Sequence, residues 1–188
     1  VLDDSARWSR VIPEREGVPK PSVKNDHPPR ILFSHLSAEK RSTVYDYRAW
    51  VWGPQGRGDL DCNDGAIAEQ GVRVLSKKPG DKPLFLALGF HRPHLPLLAP
   101  ARYFEMYPPA SIPLPRNPAR DAGDLPHTYG KLVDNAMTDA TRREAIAAYY
   151  ACVSYVDACI GRVMAALKSS GRDRNTVVVV FGDHGFHL

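Results

Sequence analysis

The chain has 188 residues, of which 43% are hydrophobic, and this is enough apolar material for one buried core. Its formal charge of +4, from 25 basic and 21 acidic residues, is a mild excess that is typical of an ordinary solvated surface. We predict no nucleic-acid partner, because no recognised binding motif accompanies that charge, and no membrane span, because no run of about 18 apolar residues is present.

The N-terminal part, residues 1–49, is predicted to be an extended surface segment of the same domain as the rest. Prolines and charged residues dominate between Ser5 and Arg30, without helical or strand periodicity. The first residues also lack the basic and apolar regions of a signal peptide. A chain that begins at Val1 and ends at Leu188, directly after a strand pattern, indicates a fragment of a longer protein.

Residues 50–188 are predicted to form part of one catalytic α/β domain with two helix-then-strand units. In the first unit, residues 61–64 offer helix caps, and an apolar face ends near Lys77. That face consists of Ile67, Gly71, Val74 and Leu75. The apolar run at 83–90 follows, and its composition predicts a strand buried on both faces, as in a parallel sheet.

The second unit is a long predicted helix that Thr138 or Asp139 caps and Gly171 ends. Its apolar residues recur at steps of three and four: Ile146, Tyr149, Val153, Val156, Ile160, Val163 and Leu167. The run at 176–181, rich in β-branched residues, predicts a central strand.

Prolines crowd residues 93–126 between the two units, which predicts a long irregular surface connection. The three cysteines, Cys62, Cys152 and Cys159, match no zinc or redox spacing. Cys152 and Cys159 lie two helical turns apart, so we predict buried structural thiols, and the cysteines leave the cellular compartment undecided.

Polar residues follow both predicted strands, where ligands bind in open α/β sheets. Asp183 and His184 offer a carboxylate and an imidazole to a hard cation; alternatively, Asp183 caps a following helix and His184 is merely exposed. His91 suits protonation of a leaving oxygen, and with Arg92 and His94 it suits binding of a tetrahedral oxyanion. The alternative, a loop histidine packed on proline, is favoured for His94 alone.

Two groups of motifs follow one another along the chain. The first is Leu-Ala-Leu-Gly-Phe-His-Arg-Pro-His-Leu-Pro at 86–96, continued by Tyr-Phe-Glu-Met-Tyr-Pro at 103–108. The second comprises residues 149–163 and Phe-Gly-Asp-His-Gly at 181–185. In content and order they resemble the type I sulfatases, in particular the branch that contains iduronate-2-sulfatase, and the resemblance covers the chain from about residue 50 to its end.

The resemblance implies an alkaline-phosphatase-like α/β sandwich with a mostly parallel central sheet flanked by helices, incomplete in this chain. It implies a sulfuric ester hydrolase that removes sulfate from a sulfated saccharide, such as a glycosaminoglycan, with one Ca²⁺ ion and a formylglycine nucleophile. Asp183 and His184 match the metal ligands of the family. His91 matches a histidine that contacts the sulfate group, so its expected catalytic role is that of a sulfate contact or an acid catalyst. Arg92 and His94 match the same loop, which we expect to bind substrate.

Two parts of the family pattern are missing from this sequence. One is an early aspartate pair after a hydrophobic strand, and the other is the Cys-or-Ser, x, Pro-or-Ala, x, Arg motif that becomes formylglycine. We therefore expect the nucleophile to lie on a segment outside this chain, and the chain alone to be inactive. The resemblance also implies export to a periplasm, a lysosome or the cell exterior.

Two other functions stay open. A phosphatase or phosphodiesterase of the same superfamily would carry two zinc sites with further ligands downstream. A catalytically inactive fragment would bind sulfated polyanions in a salt-sensitive way without turnover.

Overall fold

The computed structural model describes residues 12, 16–18, 30–32, 50–56, 58–78, 80, 82–116 and 138–185. Most of the segment predicted to lie extended on the surface, 1–49, is outside these residues. Of the described part of it, Val18 is buried, and the backbone carbonyl of Glu16 accepts a hydrogen bond from the Gln70 side chain.

A small mixed sheet contains three short strands, β1 (Arg30–Leu32), β2 (Trp50–Pro54) and β3 (Leu97–Ala99), in that order. β1 pairs with β2 antiparallel, and β2 pairs with β3 parallel, with Trp52 opposite Leu97. The sequence patterns predicted none of these strands. Runs of three to five residues are too short to show a period of two.

The proline-rich stretch at 93–126 is more regular than predicted, as far as it is described. It contains β3, the short helix α2 (Ala101–Glu105) and a 3₁₀ turn at Pro109–Ser111. Pro96 and Pro100 flank β3 without interrupting it. Proline lacks a backbone donor only at its own position, so short elements fit between the prolines.

Both predicted helices are present: α1 covers Asn63–Leu75, and α3 covers Asp139–Ser169. The Thr138 hydroxyl caps α3 by accepting a hydrogen bond from Thr141 N at 3.2 Å. Gly171, with a φ of 71°, follows the last turn in the left-handed conformation that glycine adopts readily. The predicted start and stop of the long helix are therefore confirmed.

The core lies where α3 packs against α1 and β3. Small side chains line α3 there, and the fully buried positions are Ala148, Ala151, Cys152, Tyr155 and Cys159. The predicted apolar face was partly wrong, because Val153 is 42% exposed. The prediction weighted large side chains, whereas a close helix contact favours small ones.

By length and composition alone, α3 is apolar enough to cross a membrane. This is weak evidence, since the core helix of a globular domain passes the same test. One face of α3 packs against α1 and β3 in the core, and 28% of its apolar 18-residue window is buried among the described residues.

The strands predicted at 83–90 and 176–181 are wrong for the structure as described, because neither segment forms ladder hydrogen bonds. Both are largely exposed: Phe85 by 78%, Val177 by 89% and Phe181 by 85%. A strand that is apolar on both faces requires a neighbouring strand and covering layers. The described residues place no strand beside either segment.

Candidate active site

The loop that follows segment 83–90 carries three of the predicted site residues, and its first two backbone amides are held by a buried carboxylate. His91 N donates to Asp64 Oδ1 at 2.8 Å, and Arg92 N donates to Asp64 Oδ2 at 3.0 Å. Asp64 is only 2% exposed, whereas His91 is exposed. The His91 imidazole is therefore open to solvent while its backbone is fixed.

The rest of the loop is tied to β3 and to itself through Arg92. Arg92 Nε donates to Leu98 O at 2.7 Å, and one terminal nitrogen donates to His94 O at 3.4 Å. His94 Nδ1 lies 2.6 Å from Leu95 O. The Arg92 guanidinium thus has a structural part in the loop, and its predicted contact with substrate stays a prediction.

Asp183 and His184 lie side by side after segment 176–181. His184 Nε2 is 3.6 Å from Asp183 Oδ2, and the side chains are 74% and 86% exposed, respectively. The pKa of Asp183 is lowered, first because its carboxylate accepts the His184 backbone N–H and further because the His184 ring is close. Asp183 is therefore a stable anion in an open position, as a metal ligand must be.

Each group of predicted site residues follows one of the two apolar segments, 83–90 and 176–181. The residues that precede these segments are in contact, because the Arg172 guanidinium donates to Lys77 O. His94 is the last and smallest of the causes that lower the pKa of Asp183. The convergence of the two polar ends at one site stays a prediction.

The donor set near Asp183 does not complete a calcium site within the described residues. No group of three or more His, Cys, Asp or Glu side chains that could hold an ion occurs among them. Calcium takes six to eight oxygen ligands, and Asp183 and His184 supply a carboxylate and one imidazole. This pair fits part of a coordination shell and leaves the larger part to other residues.

Sequence reasoning treated Asp64 only as a helix cap and missed its contact with the loop. It also missed Tyr155, whose hydroxyl accepts from Gly65 N at 2.6 Å and donates to Asp59 O at 2.8 Å. Burial raises the pKa of that phenol, so the hydroxyl remains protonated. The sequence signal for Asp64 was its place as the acidic residue in the first turn of α1. Sequence alone does not tell which backbone amides this carboxylate binds.

These features define an α/β protein in which the predicted site residues follow two apolar segments. The family model of the sulfatases matches residues 26–188, and the chain belongs to the sulfatase family. Its fold is accordingly the alkaline-phosphatase-like α/β fold predicted from the sequence.

Three curated relatives illustrate the range of the family. A sulfatase of Formosa agariphila is 43% identical over 115 residues, which cover 57% of this chain and 23% of the relative. Human iduronate 2-sulfatase is 28% identical over an alignment that covers 89% of this chain and 36% of the relative. The multifunctional alkaline phosphatase superfamily protein PehA of Trinickia caryophylli is 31% identical, covering 65% of this chain and 27% of the relative. The chain thus spans about a quarter to a third of the length of these relatives.

Proposed function

We propose that the protein containing this chain is a sulfatase of the iduronate-2-sulfatase-like branch, which hydrolyses sulfuric esters of a saccharide. The observation that carries the proposal is the loop whose backbone Asp64 holds at His91 and Arg92 while the His91 side chain stays exposed. Asp183 and His184 add an exposed carboxylate and imidazole after the second apolar segment. Membership of the sulfatase family and the similarity to human iduronate 2-sulfatase support the reaction and the substrate class. Export to a periplasm, a lysosome or the cell exterior belongs to the same proposal.

In this scheme His91 contacts the sulfate group and donates a proton to the leaving sugar oxygen. An imidazole serves as a proton donor near neutral pH when it lies within hydrogen-bond reach of the leaving atom. The Asp64 contacts involve only the His91 backbone, so the ring remains available. Its exposure in this structure leaves room for a substrate on that side.

His94 and Arg92 would complete an anion-binding loop. Leu95 O can only accept, so the short contact with His94 Nδ1 places a proton on that nitrogen. His94 Nε2 can then donate to a sulfate oxygen only when the ring is charged.

The remaining chemistry would come from groups that these residues do not contain. Asp183 and His184 would supply two ligands of a Ca²⁺ ion, which when bound neutralises charge on the sulfate oxygens. A formylglycine on a segment outside the 188 residues would serve as the nucleophile.

The test is the hydrolysis of an aryl sulfate by the complete protein and by its His91→Ala variant. Loss of the proton donor should lower kcat by about 100-fold or more. Lys78→Ala, at another exposed position, is the matched control and should retain full turnover. The melting temperature of His91→Ala should match that of the parent, because alanine keeps the amide that Asp64 binds. Full turnover in His91→Ala would remove the catalytic assignment.

A second candidate function is the hydrolysis of phosphate esters, which the similarity to PehA favours. Sulfate and phosphate esters share a tetrahedral centre, so one anion-binding loop suits both. Assays of matched aryl sulfate and aryl phosphate substrates separate the two functions. A higher kcat/KM for the phosphate would replace the sulfatase proposal, and the absence of turnover on both substrates would favour polyanion binding.

A further inference from the structure

We propose that Asp64 is a positioning residue for the reaction, because it sets the orientation of the peptide unit that joins His91 to Arg92. The inference rests on the proposed role of His91 in sulfate ester hydrolysis. Asp64 itself is buried and cannot reach a substrate, so it would act only through the loop.

Asp64 binds two consecutive backbone amides with its two carboxylate oxygens. The N–H of His91 points to Oδ1 and the N–H of Arg92 points to Oδ2, across 27 and 28 residues of sequence. A loop that is held by a hydrogen bond to one amide can still rotate about that hydrogen bond. Hydrogen bonds to two successive amides also fix the plane of the peptide group that joins the two residues. The direction in which the His91 side chain leaves the backbone is thereby set.

A buried carboxylate destabilises a fold unless hydrogen bonds satisfy it. Asp64 lies in the first turn of α1, where the positive end of the helix dipole favours an anion. The two loop amides and the N-terminal end of α1 together compensate the Asp64 carboxylate for its burial. Neutral side chains of similar size cannot supply the same pair of acceptors.

The position of Asp64 is in turn fixed to the core helix. The next residue, Gly65, donates its N–H to the Tyr155 hydroxyl, and that hydroxyl donates to Asp59 O. Tyr155 is fully buried on α3. The loop thus takes its orientation from α3 by way of the first turn of α1, although it lies far from both elements in sequence.

The experiment compares Asp64→Asn and Asp64→Ala in the complete protein. Asparagine keeps one acceptor and turns an N–H₂ group toward the second amide, while alanine removes both acceptors. We expect kcat for an aryl sulfate to fall on the order of 100-fold in Asp64→Ala, as for a misplaced catalytic group, and less in Asp64→Asn. Amide hydrogen exchange at His91 and Arg92 should accelerate in the same order.

Gln70→Ala is the matched control for loss of stability. Gln70 is a buried polar side chain on the same helix, but it is hydrogen bonded to Glu16 O and not to the loop. It should lower the melting temperature without changing kcat or the exchange at His91. If Gln70→Ala reduces kcat as much as Asp64→Ala does, Asp64 acts through stability alone and the proposal is overturned.

The double variant Asp64→Asn with His91→Ala separates this inference from the proposed function. If Asp64 acts through His91, the double variant should be no slower than His91→Ala alone. Independent, multiplying losses would overturn the positioning role, as would unchanged amide exchange in Asp64→Ala. If His91→Ala retains full turnover, the catalytic assignment of His91 fails. Accelerated amide exchange in Asp64→Ala would then show that Asp64 orders the loop but that the loop has no role in catalysis.

Discussion

The exposed pair Asp183 and His184 is the part of the proposed site that depends on an ion. Calcium prefers carboxylate oxygen to imidazole nitrogen, so we expect Asp183→Ala to weaken calcium binding more than His184→Ala does. The measurement is calorimetric titration of the metal-free complete protein with Ca²⁺. A larger loss in His184→Ala would contradict a calcium site that depends on the Asp183 carboxylate, and titration of the same variants with Zn²⁺ would then test for a softer metal.

The two cysteines of α3 are predicted to be chemically inert. Burial raises the pKa of Cys152 and that of Cys159 to about 12 each, so at pH 8 both thiols are protonated, and raising the pH to 9 leaves them so. A colorimetric thiol reagent at pH 8 should react with them only after denaturation. Ser169→Cys, at an exposed position on the same helix, is the control and should react at once; rapid reaction of Cys152 or Cys159 in the folded protein would refute the prediction.

Single residues of the site were predictable to the extent that they follow a recognisable motif. His91, His94 and Asp183 were predicted from their positions after apolar runs, and their roles stay predictions. Asp64 was not found, because its partners are backbone amides, which every residue carries. Which amides a carboxylate binds depends on tertiary packing, and sequence pattern does not encode that.

Among the elements, the first turn of α1 shows how close packing selects glycine. A Cβ at Gly65 would overlap Asp59 O and lie 2.9 Å from the Tyr155 hydroxyl oxygen. We expect Gly65→Ala to lower the free energy of unfolding by about 2 kcal/mol, the usual effect of overpacking. Gly161 is also helical, but outside its own helix backbone no atom of the described residues lies within 4 Å of where a Cβ would stand.

Gly161→Ala is therefore the matched control and should raise the free energy of unfolding by up to about 1 kcal/mol through helix propensity. Urea unfolding of both variants measures the difference. Equal effects of the two substitutions would mean that the turn at Gly65 accommodates a methyl group without a loss of stability. The close approach of Tyr155 would then contribute nothing to the free energy of unfolding.

Helices were predicted better than strands because their signals are local. Thr138 and Gly171 mark the start and stop of α3 through bonds within a few residues. The pattern at 176–181 reports only that its side chains suit burial, and a strand also needs neighbours from elsewhere in a sheet. β2 and β3 pair over 40 residues apart in sequence, and no local pattern indicated that pairing.

For the molecule as a whole, the formylglycine proposal makes a prediction about covalent structure. Peptide mass mapping of the complete protein should find one cysteine or serine, within a Cys-or-Ser, x, Pro-or-Ala, x, Arg sequence, converted to an aldehyde. Replacement of that residue by alanine should abolish sulfate ester hydrolysis, since it removes the nucleophile. An unmodified residue in a fully active protein would contradict the proposed nucleophile.

The exposed segment 176–181 has a consequence for how this polypeptide behaves before its apolar surface is covered. Its six residues are β-branched or aromatic and contain neither charge nor proline, which is the length and composition of segments that stack into cross-β fibrils. Val177 and Phe181 are each more than four-fifths exposed. A copy in which this segment is uncovered, as it is in this structure, therefore presents a template for cross-β self-association to other copies.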